Sequence, residues 1–426
     1  MKILIVNYAY FITGGPERYL FNIAEIFRQK GHTVVPFSMD LKENINTKYD
    51  KYFVSSINAD KSFYYSGTSS LKEKIRQISR LFYSSEAEYK LSKYIQREQP
   101  DIAYILHYQK KISPAVLKAC KRMNVPAIVR ISDYLSMCPA RTFVREDKIC
   151  EECKDSVWNS VKYRCVKDSF VASILWFLAS RYHAVMHYER LIDALVVTNS
   201  FMKDKLIEYG NSKNKYVIPT LVNNNSNRIR TYNHKIKKLQ ICMIGNLNKV
   251  KGVHILLRAY SRLLNKGIKI DLVIMGNDLE GEYAKYCQDN AESTKNIKYQ
   301  NHASFDLVLK TLSDSLFLIL PVQWYENLPN IVLESYSVGT PVIGTDIGSI
   351  KEMIDEGKTG FKCEHGNSQD LMSVIDKAID TDEDTYESMQ KGCLQKAKHV
   401  YGRDIHYNKL IKLFQDTIIH SKKELG

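Results

Sequence analysis

Short apolar runs alternate with amphipathic stretches along nearly the whole chain, and this alternation narrows the fold more than any other feature. Lys2–Asn7 reads as a buried strand, and a loop containing Gly14-Gly15 follows it. A helix then starts at Pro16, with Glu17 in its first turn, Leu20, Ile23, Ala24 and Phe27 at helical spacing, and Gly31 just past its end. Thr33–Phe37 is the next strand. Strand, loop, helix and strand in this order make a βαβ unit, because parallel strands need a crossover connection. Ile102–Leu106, Ala127–Ile131 and Ala194–Val197 extend the series, with a helix from near Pro114 between the first two and Ser200 as the N-cap of another. Leu221–Lys238 breaks the pattern: it is polar, contains Asn223-Asn224-Asn225, has no apolar period and reads as a linker. A second series follows with strands at Leu239–Ile244, Ile270–Met275, Leu316–Leu320 and Pro341–Gly344. The expected architecture is α/β, two Rossmann-like doubly wound parallel-sheet domains facing a central cleft. Residues 1–220 and 239–402 are the two domains and 221–238 joins them. Ligands of such sheets bind beyond the carboxyl ends of the strands, here in the cleft.

Composition agrees with two packed cores. Of 426 residues, 44% are apolar and 25% charged, which excludes disorder and fibrous repeats. The longest apolar run, Phe170–Ala179 with Ser173 counted in, is far short of the ~20 residues a membrane-spanning helix needs. The opening Met1–Asn7 is too short for a signal-peptide core, so the expected location is the cytoplasm. Nine cysteines, an odd number, then read as reduced thiols. The net charge of +14 is uneven: residues 1–218 hold 34 basic and 22 acidic side chains, residues 219–426 hold 27 and 25. A basic half attracts phosphates on a nucleic acid, an anionic membrane or a phosphorylated substrate.

The stretch from Glu326 to Glu334 carries the chemistry. It follows a strand ending at Pro321, and Pro329 suits the first turn of a helix. Free amides at such a helix start make an anion site. Glu326 stands in the loop and Glu334 about two turns along the helix, so two carboxylates can take separate roles.

Glu-x7-Glu, the run Ser335 to Glu352 after it, Gly357-Lys358-Thr359-Gly360-Phe361, the segment Gly245 to Gly252 and Gly14-Gly15-Pro16-Glu17-Arg18 together resemble family-4 glycosyltransferases, in the right order over nearly the whole chain. The resemblance implies a GT-B fold, a nucleotide-sugar donor on the second domain, an acceptor on the first, and hexosyl transfer with retained configuration and no cofactor or divalent metal in catalysis. It places Glu326 at the transferred sugar, Glu334 at the ribose and Lys251 at the donor diphosphate. The amides near Asn327 and Leu328 would help bind sugar or diphosphate, and Gly14 and Gly15 would let their loop approach the donor. A final helix, roughly Arg403–Lys423 within 403–426, is expected to cross back onto the first domain. The implied process is bacterial surface polysaccharide biosynthesis (capsule, exopolysaccharide or lipopolysaccharide), with a glycan or lipid-diphosphate-linked acceptor.

Two positions depart from the family pattern. Asn246 stands where an Arg is usual among the donor-binding residues, and Lys249 is the nearby cation that could replace it. Ser132, in Ser132-Asp133-Tyr134, stands where a His is usual near the donor sugar. A serine hydrogen-bonds a hydroxyl but is no base at neutral pH, and a front-face retaining reaction needs none. Ser132, Asp133 and His107 are expected to face sugar or acceptor, His107 as a fallback base. These departures keep a second reading open, a non-catalytic sugar-nucleotide-binding partner subunit.

Other features carry two readings each. Cys138, Cys150, Cys153 and Cys165, in a polar insertion, either hold a structural zinc or remain unligated thiols on a mobile loop. Asp382-Glu383-Asp384 reads as a helix start rather than a metal triad. Leu71, Ile75, Ile78 and Phe82 form one face of a helix that also carries Lys72, Lys74, Arg76 and Arg80. Such a face most often packs on its own domain, which is the expectation; with the Phe170–Ala179 run and the basic half, it leaves peripheral contact with the inner face of the cytoplasmic membrane open. No nucleic-acid motif with interleaved aromatics is present, so nucleic acid is not an expected partner. No Gly-x-Gly-x-x-Gly follows the first strand, against a nicotinamide oxidoreductase.

Overall fold

A computed structural model describes residues 1–57, 70–222, 239–276, 282–292, 294, 296–301 and 304–425. Most of the expected linker, 223–238, therefore lies outside the described residues. Two six-stranded sheets organise the chain, and every strand pair within them is parallel. The first runs Lys215–Val217, Ala194–Val197, Ala127–Ile131, Ile102–His107, Lys2–Asn7, Thr33–Phe37. The second runs Ile297–Asn301, Asp271–Gly276, Gln240–Ile244, Phe317–Leu320, Val342–Thr345, Gly360–Cys363. The central strands are continuous apolar runs because helices cover both faces of each sheet.

Strand order reverses once in each sheet. In the first, the chain leaves Lys2–Asn7 for one neighbour, Thr33–Phe37, and later returns to pair Ile102–His107 on the other side. In the second, Gln240–Ile244 lies between Asp271–Gly276 and Phe317–Leu320. The loops leaving these strands at their carboxyl ends cannot cover one another, so a crevice opens between them. Asn7 and His107 stand at the first reversal. The loops containing Lys251 and Glu326 leave the second.

The last helix, Arg403–Leu425, completes the first core rather than the second. Leu410, Leu413 and Phe414 are buried with Ile3, Leu4 and Phe27. His406 is clamped between the Tyr19 hydroxyl at 3.0 Å and the Pro219 carbonyl at 2.7 Å.

Several local expectations are corrected. Asn199, not Ser200, caps its helix, accepting from the Met202 amide at 2.7 Å. Pro329 is itself the extended residue before a helix that starts at Asn330. The polar insertion is not a loose loop: Tyr134, Met137, Cys138 and Phe143 are buried with Val197, Met202 and Leu206. The helix Leu71–Phe82 does not bury its apolar face, since Arg80 is its buried residue. Asp382 caps the helix Glu383–His399, in keeping with the helix-start reading.

Candidate active site

Two loops bring Lys251 and Glu326 together. After Gln240–Ile244 the chain makes a short turn over Lys249–Lys251, capped by the Asn248 side chain, and passes through Gly252 at φ +77°. A Cβ at Gly252 would stand 1.8 Å from the Pro321 carbonyl oxygen, so only glycine lets the two loops meet here. The Gln323 amide donates to the Val250 carbonyl at 2.7 Å and ties them further. The result is an ion pair between Lys251 Nζ and Glu326 Oε1. Trp324 Nε1 donates to the same oxygen at 2.7 Å, and the Lys251 ammonium lies 5.5 Å from the Trp324 ring centre. Glu326 is only 6% exposed, so its charge is met by a cation and an indole donor rather than by bulk water.

The first unit supplies the opposite wall. His107, Ser132, Asp133 and Arg141 face the same chamber as Trp324 and Glu326, and Gly15 is at its edge. Asn7, His107 and Ser132 form a chain: His107 Nδ1 is 3.2 Å from Asn7 Oδ1, and Nε2 is 3.1 Å from Ser132 Oγ. Burial lowers the His107 pKa, against the raising effect of Asp133 and Glu17. Its imidazole is therefore neutral at pH 7, positioned between two side chains. Asp133 accepts from the Leu135 amide at 3.0 Å and pairs with Arg141 at 3.6 Å. Lys110 and Lys111 lie beside Arg141, and burial together with that guanidinium lowers each to about 8.

The chamber is closed by contacts across the cleft. The Asn327 side chain donates to the Ser132 carbonyl at 2.5 Å, and Asn327 accepts from Thr198 and Asn199. The Tyr134 hydroxyl donates to the Glu326 carbonyl at 3.1 Å, and Tyr325 donates to Glu151 at 2.8 Å. Tyr325 also packs on Phe143 and Phe201. The insertion thus buttresses the loop that carries Glu326.

Glu334 faces an adjoining chamber with Arg18, Asn22 and Thr220, and Gly15 and Asn330 border both. A Cβ at Gly15 would come within 3.0 Å of Asn330 Nδ2, so the N-terminal loop reaches the helix start behind Glu326. Burial raises the Glu334 pKa while Arg18 opposes the rise.

The sequence-derived residues divide accordingly. Glu326, Leu328, Ser132, Asp133, His107 and Gly15 line one chamber, and Lys251 is paired into it. Glu334 is next door. Asn327 lines the chamber but spends its side chain on the cross-cleft latch. Asn246 is exposed at the turn and lines neither chamber. Lys249 pairs with Asp147 of the insertion. The four clustered cysteines neighbour one another: Cys138, Cys165 and Cys150 each help raise Cys153 to about 12, after burial. All nine are free thiols, and among the described residues no group of three or more His, Cys, Asp or Glu side chains is arranged to hold a metal ion.

Comparison with known proteins gives the family context. Residues 225–395 match the family model of glycosyl transferases group 1. A capsular polysaccharide biosynthesis glycosyltransferase, CapM of Staphylococcus aureus, is 21% identical over 248 residues, 55% of this chain and 61% of CapM. The chain matches about half the length of such curated relatives. Among solved structures, a glycosyltransferase from Rickettsia africae superposes with a TM-score of 0.66 at 17% identity, covering 98% of each chain. Anabaena HepE, solved with UDP and glucose, superposes with a TM-score of 0.63 at 15% identity, covering 98% of this chain and 100% of that one. The fold is GT-B.

Arg141, Trp324, Tyr134, Thr198 and Asn199 line or close the site and were not expected from the sequence. Thr198 and Asn199 could have been found, since they follow directly on the Ala194–Val197 strand at its carboxyl end. Arg141 enters through the insertion, whose path has no periodic signal, whereas Tyr134 follows directly on the Ser132-Asp133 pair already singled out.

Proposed function

We propose that the protein is a retaining, hexosyltransferase-type glycosyltransferase. It moves a sugar from a nucleotide-sugar to a glycan or lipid-diphosphate-linked acceptor, in the assembly of a bacterial surface polysaccharide. The observation that carries this reading is the Lys251–Glu326 pair at the strand reversal of the second sheet, facing Ser132, Asp133 and Arg141 across a closed cleft. The match to CapM supports the polysaccharide assignment, and HepE with UDP and glucose supports a sugar nucleotide as donor.

The chemistry follows from these groups. The bond from the anomeric carbon to the donor diphosphate breaks as the bond to the acceptor oxygen forms on the same face. Negative charge grows on the departing diphosphate and positive charge on the sugar. Lys251 meets the first, with the amides at the start of the Asn330–Ser337 helix. The Glu326 carboxylate favours the second. Before the donor arrives, the two charges neutralise each other; an incoming diphosphate shares Lys251 and frees Glu326 for the sugar. The acceptor proton passes to the leaving phosphate oxygen, so a serine at position 132 suffices. Glu334, with Arg18 beside it, is suited to the ribose.

The deciding experiment has two steps. A thermal-shift screen against UDP, GDP, ADP, CMP and their sugar conjugates identifies the donor: a ligand at about 100 times its dissociation constant adds about 2.7 kcal/mol. Transfer from that donor is then followed with wild type and Glu326→Ala, and NMR of the product reads the anomeric configuration. Transfer lost in Glu326→Ala with the configuration retained supports the reading. The exposed Asn246 and the serine at 132 favour the second reading, a non-catalytic sugar-nucleotide-binding partner subunit. Donor binding without any transfer would establish it.

A further inference from the structure

The apolar stripe of the Leu71–Phe82 helix points away from the protein. Leu71, Ile75 and Ile78 fall on one side at about 100° per residue, and they are 74%, 60% and 40% exposed. Arg80, the buried residue of this helix, lies on the opposite side and donates to the Ser55 carbonyl at 2.7 Å and to Glu86 at 2.9 Å. The helix is anchored by a charged side chain and shows its hydrocarbon outward, the reverse of a helix covering a core.

A second helix does the same beside it. Phe170–Val185 buries Ser173, Trp176 and Ala179 and turns Val171, Leu178 and Val185 outward, Val171 being 64% exposed. The two helices meet where the Phe82 ring lies 5.9 Å from Tyr182 and the Phe82 carbonyl accepts from His183 at 2.9 Å. Single exposed aliphatic residues are ordinary, but outward stripes on two adjacent helices mark an interaction surface.

We propose that this two-helix face seats the protein on an anionic phospholipid bilayer. Charge selects the partner. Lys72 and Lys74 are exposed and flank the first stripe on either side, and Arg181 borders the second. The first helix contains one acidic residue, Glu73, bound in the capping box with Ser70, and the second contains none. Aliphatic residues between long, flexible cations suit a headgroup layer, where the stems lie along the apolar surface and the ammonium groups reach the phosphates. A second copy of the chain would instead oppose lysines to lysines. The docking does not depend on the transferase reading. If that reading holds, the face also has a direction: Trp176, on the inner side of the second helix, carries Lys110 at 4.7 Å, and Lys110 neighbours Arg141 in the cleft wall. A lipid-tethered acceptor would then reach the cleft along the membrane.

The test is flotation of the full chain with phosphatidylcholine vesicles, with or without phosphatidylglycerol, and it uses no activity. Binding is expected only with phosphatidylglycerol, and it should weaken as salt shortens the screening length. Ile75→Asp with Leu178→Asp should abolish binding while leaving the unfolding midpoint unchanged, since both positions are exposed. Lys72→Ala with Lys74→Ala should weaken it by about fivefold for each lysine removed. Absence of binding to anionic vesicles, or binding unaltered in both variants, overturns the proposal. A concentration-dependent dimer that Ile75→Asp dissociates also overturns it and identifies the face as a self-association surface.

Discussion

The side-chain amide of Asn327 donates to the backbone carbonyl of Ser132 at 2.5 Å, joining two residues 195 positions apart from opposite walls of the cleft. Thr198 and Asn199 donate to the Asn327 side-chain oxygen, the latter at 3.2 Å, so one side chain holds much of the closed geometry. Replacing Asn327 by Ala removes the side-chain bonds to Ser132, Thr198 and Asn199 and leaves only the Asn199 bond to the 327 backbone carbonyl, without touching the Lys251–Glu326 pair. The expected result is a larger radius of gyration in solution scattering and a kcat/KM reduced by about 10- to 100-fold, at ~1 kcal/mol for each bond lost. An unchanged scattering curve would show that closure rests elsewhere.

Lys251 and Glu326 form a mostly buried pair, so removing one partner leaves the other uncompensated. Lys251→Ala or Glu326→Ala should each lower transfer by about 10²–10³, as loss of one preorganised electrostatic group does. Lys251→Ala should also destabilise the fold by a few kcal/mol, because Glu326 keeps its burial and loses its cation. The double variant Lys251→Met, Glu326→Gln should recover the unfolding midpoint but not the activity. Parallel thermal unfolding and transfer assays separate the two effects.

The pH dependence of stability has an identifiable source. His406 is held between the Tyr19 hydroxyl and the Pro219 carbonyl, and burial, with Arg130, lowers its pKa to about 3. The folded state binds this proton less readily than the unfolded state, so the neutral form's stability is complete above the unfolded value of about 6.5. It is lost as pH falls from there toward about 3, at about 1.4 kcal/mol per pH unit. Unfolding midpoints measured from pH 7 to pH 4 should fall steeply in the wild type. His406→Gln should flatten that limb, at some cost in stability at pH 7.

The thiols of the insertion make a chemical prediction. Burial and the neighbouring cysteines raise Cys153 to about 12 and also raise Cys165, and burial raises Cys138. As thiols they should alkylate far more slowly at pH 8 than a free cysteine, by about a thousandfold for Cys153, since the thiolate is the nucleophile. Peptide-resolved iodoacetamide labelling, with and without a chelator, reads this directly. A rate that changes when metal is chelated would show that the thiols are metal-bound in solution.

The central strands were legible because burial on both faces writes them as uninterrupted apolar runs. Ile102–His107 and Phe317–Leu320 are examples. The edge strands Lys215–Val217, Ile297–Asn301 and Gly360–Cys363 were not, since an edge position demands no such run and their polar residues mask the pattern. The order of motifs singled out Glu326, Lys251 and Glu334, and the structure pairs the first two and sets Glu334 in the adjoining chamber. The role of Asn327 was not, because its partners Ser132 and Thr198 are set by how the two sheets face each other, which no local spacing encodes. The outward stripe of Leu71, Ile75 and Ile78 was legible as a face, but its direction was read the wrong way round. Periodicity reports that a stripe exists; it was the anchoring of Arg80 on the opposite side that fixed where it points.

The helix Arg403–Leu425 has a consequence for the order of assembly. Leu410, Leu413 and Phe414 fill a core whose strands are synthesised long before them. During translation the first sheet leaves the ribosome with an uncovered apolar patch, while the second sheet can close on its own segment. The nascent chain therefore carries an unfinished domain until Leu410, Leu413 and Phe414 emerge, and chaperone demand should concentrate in that interval.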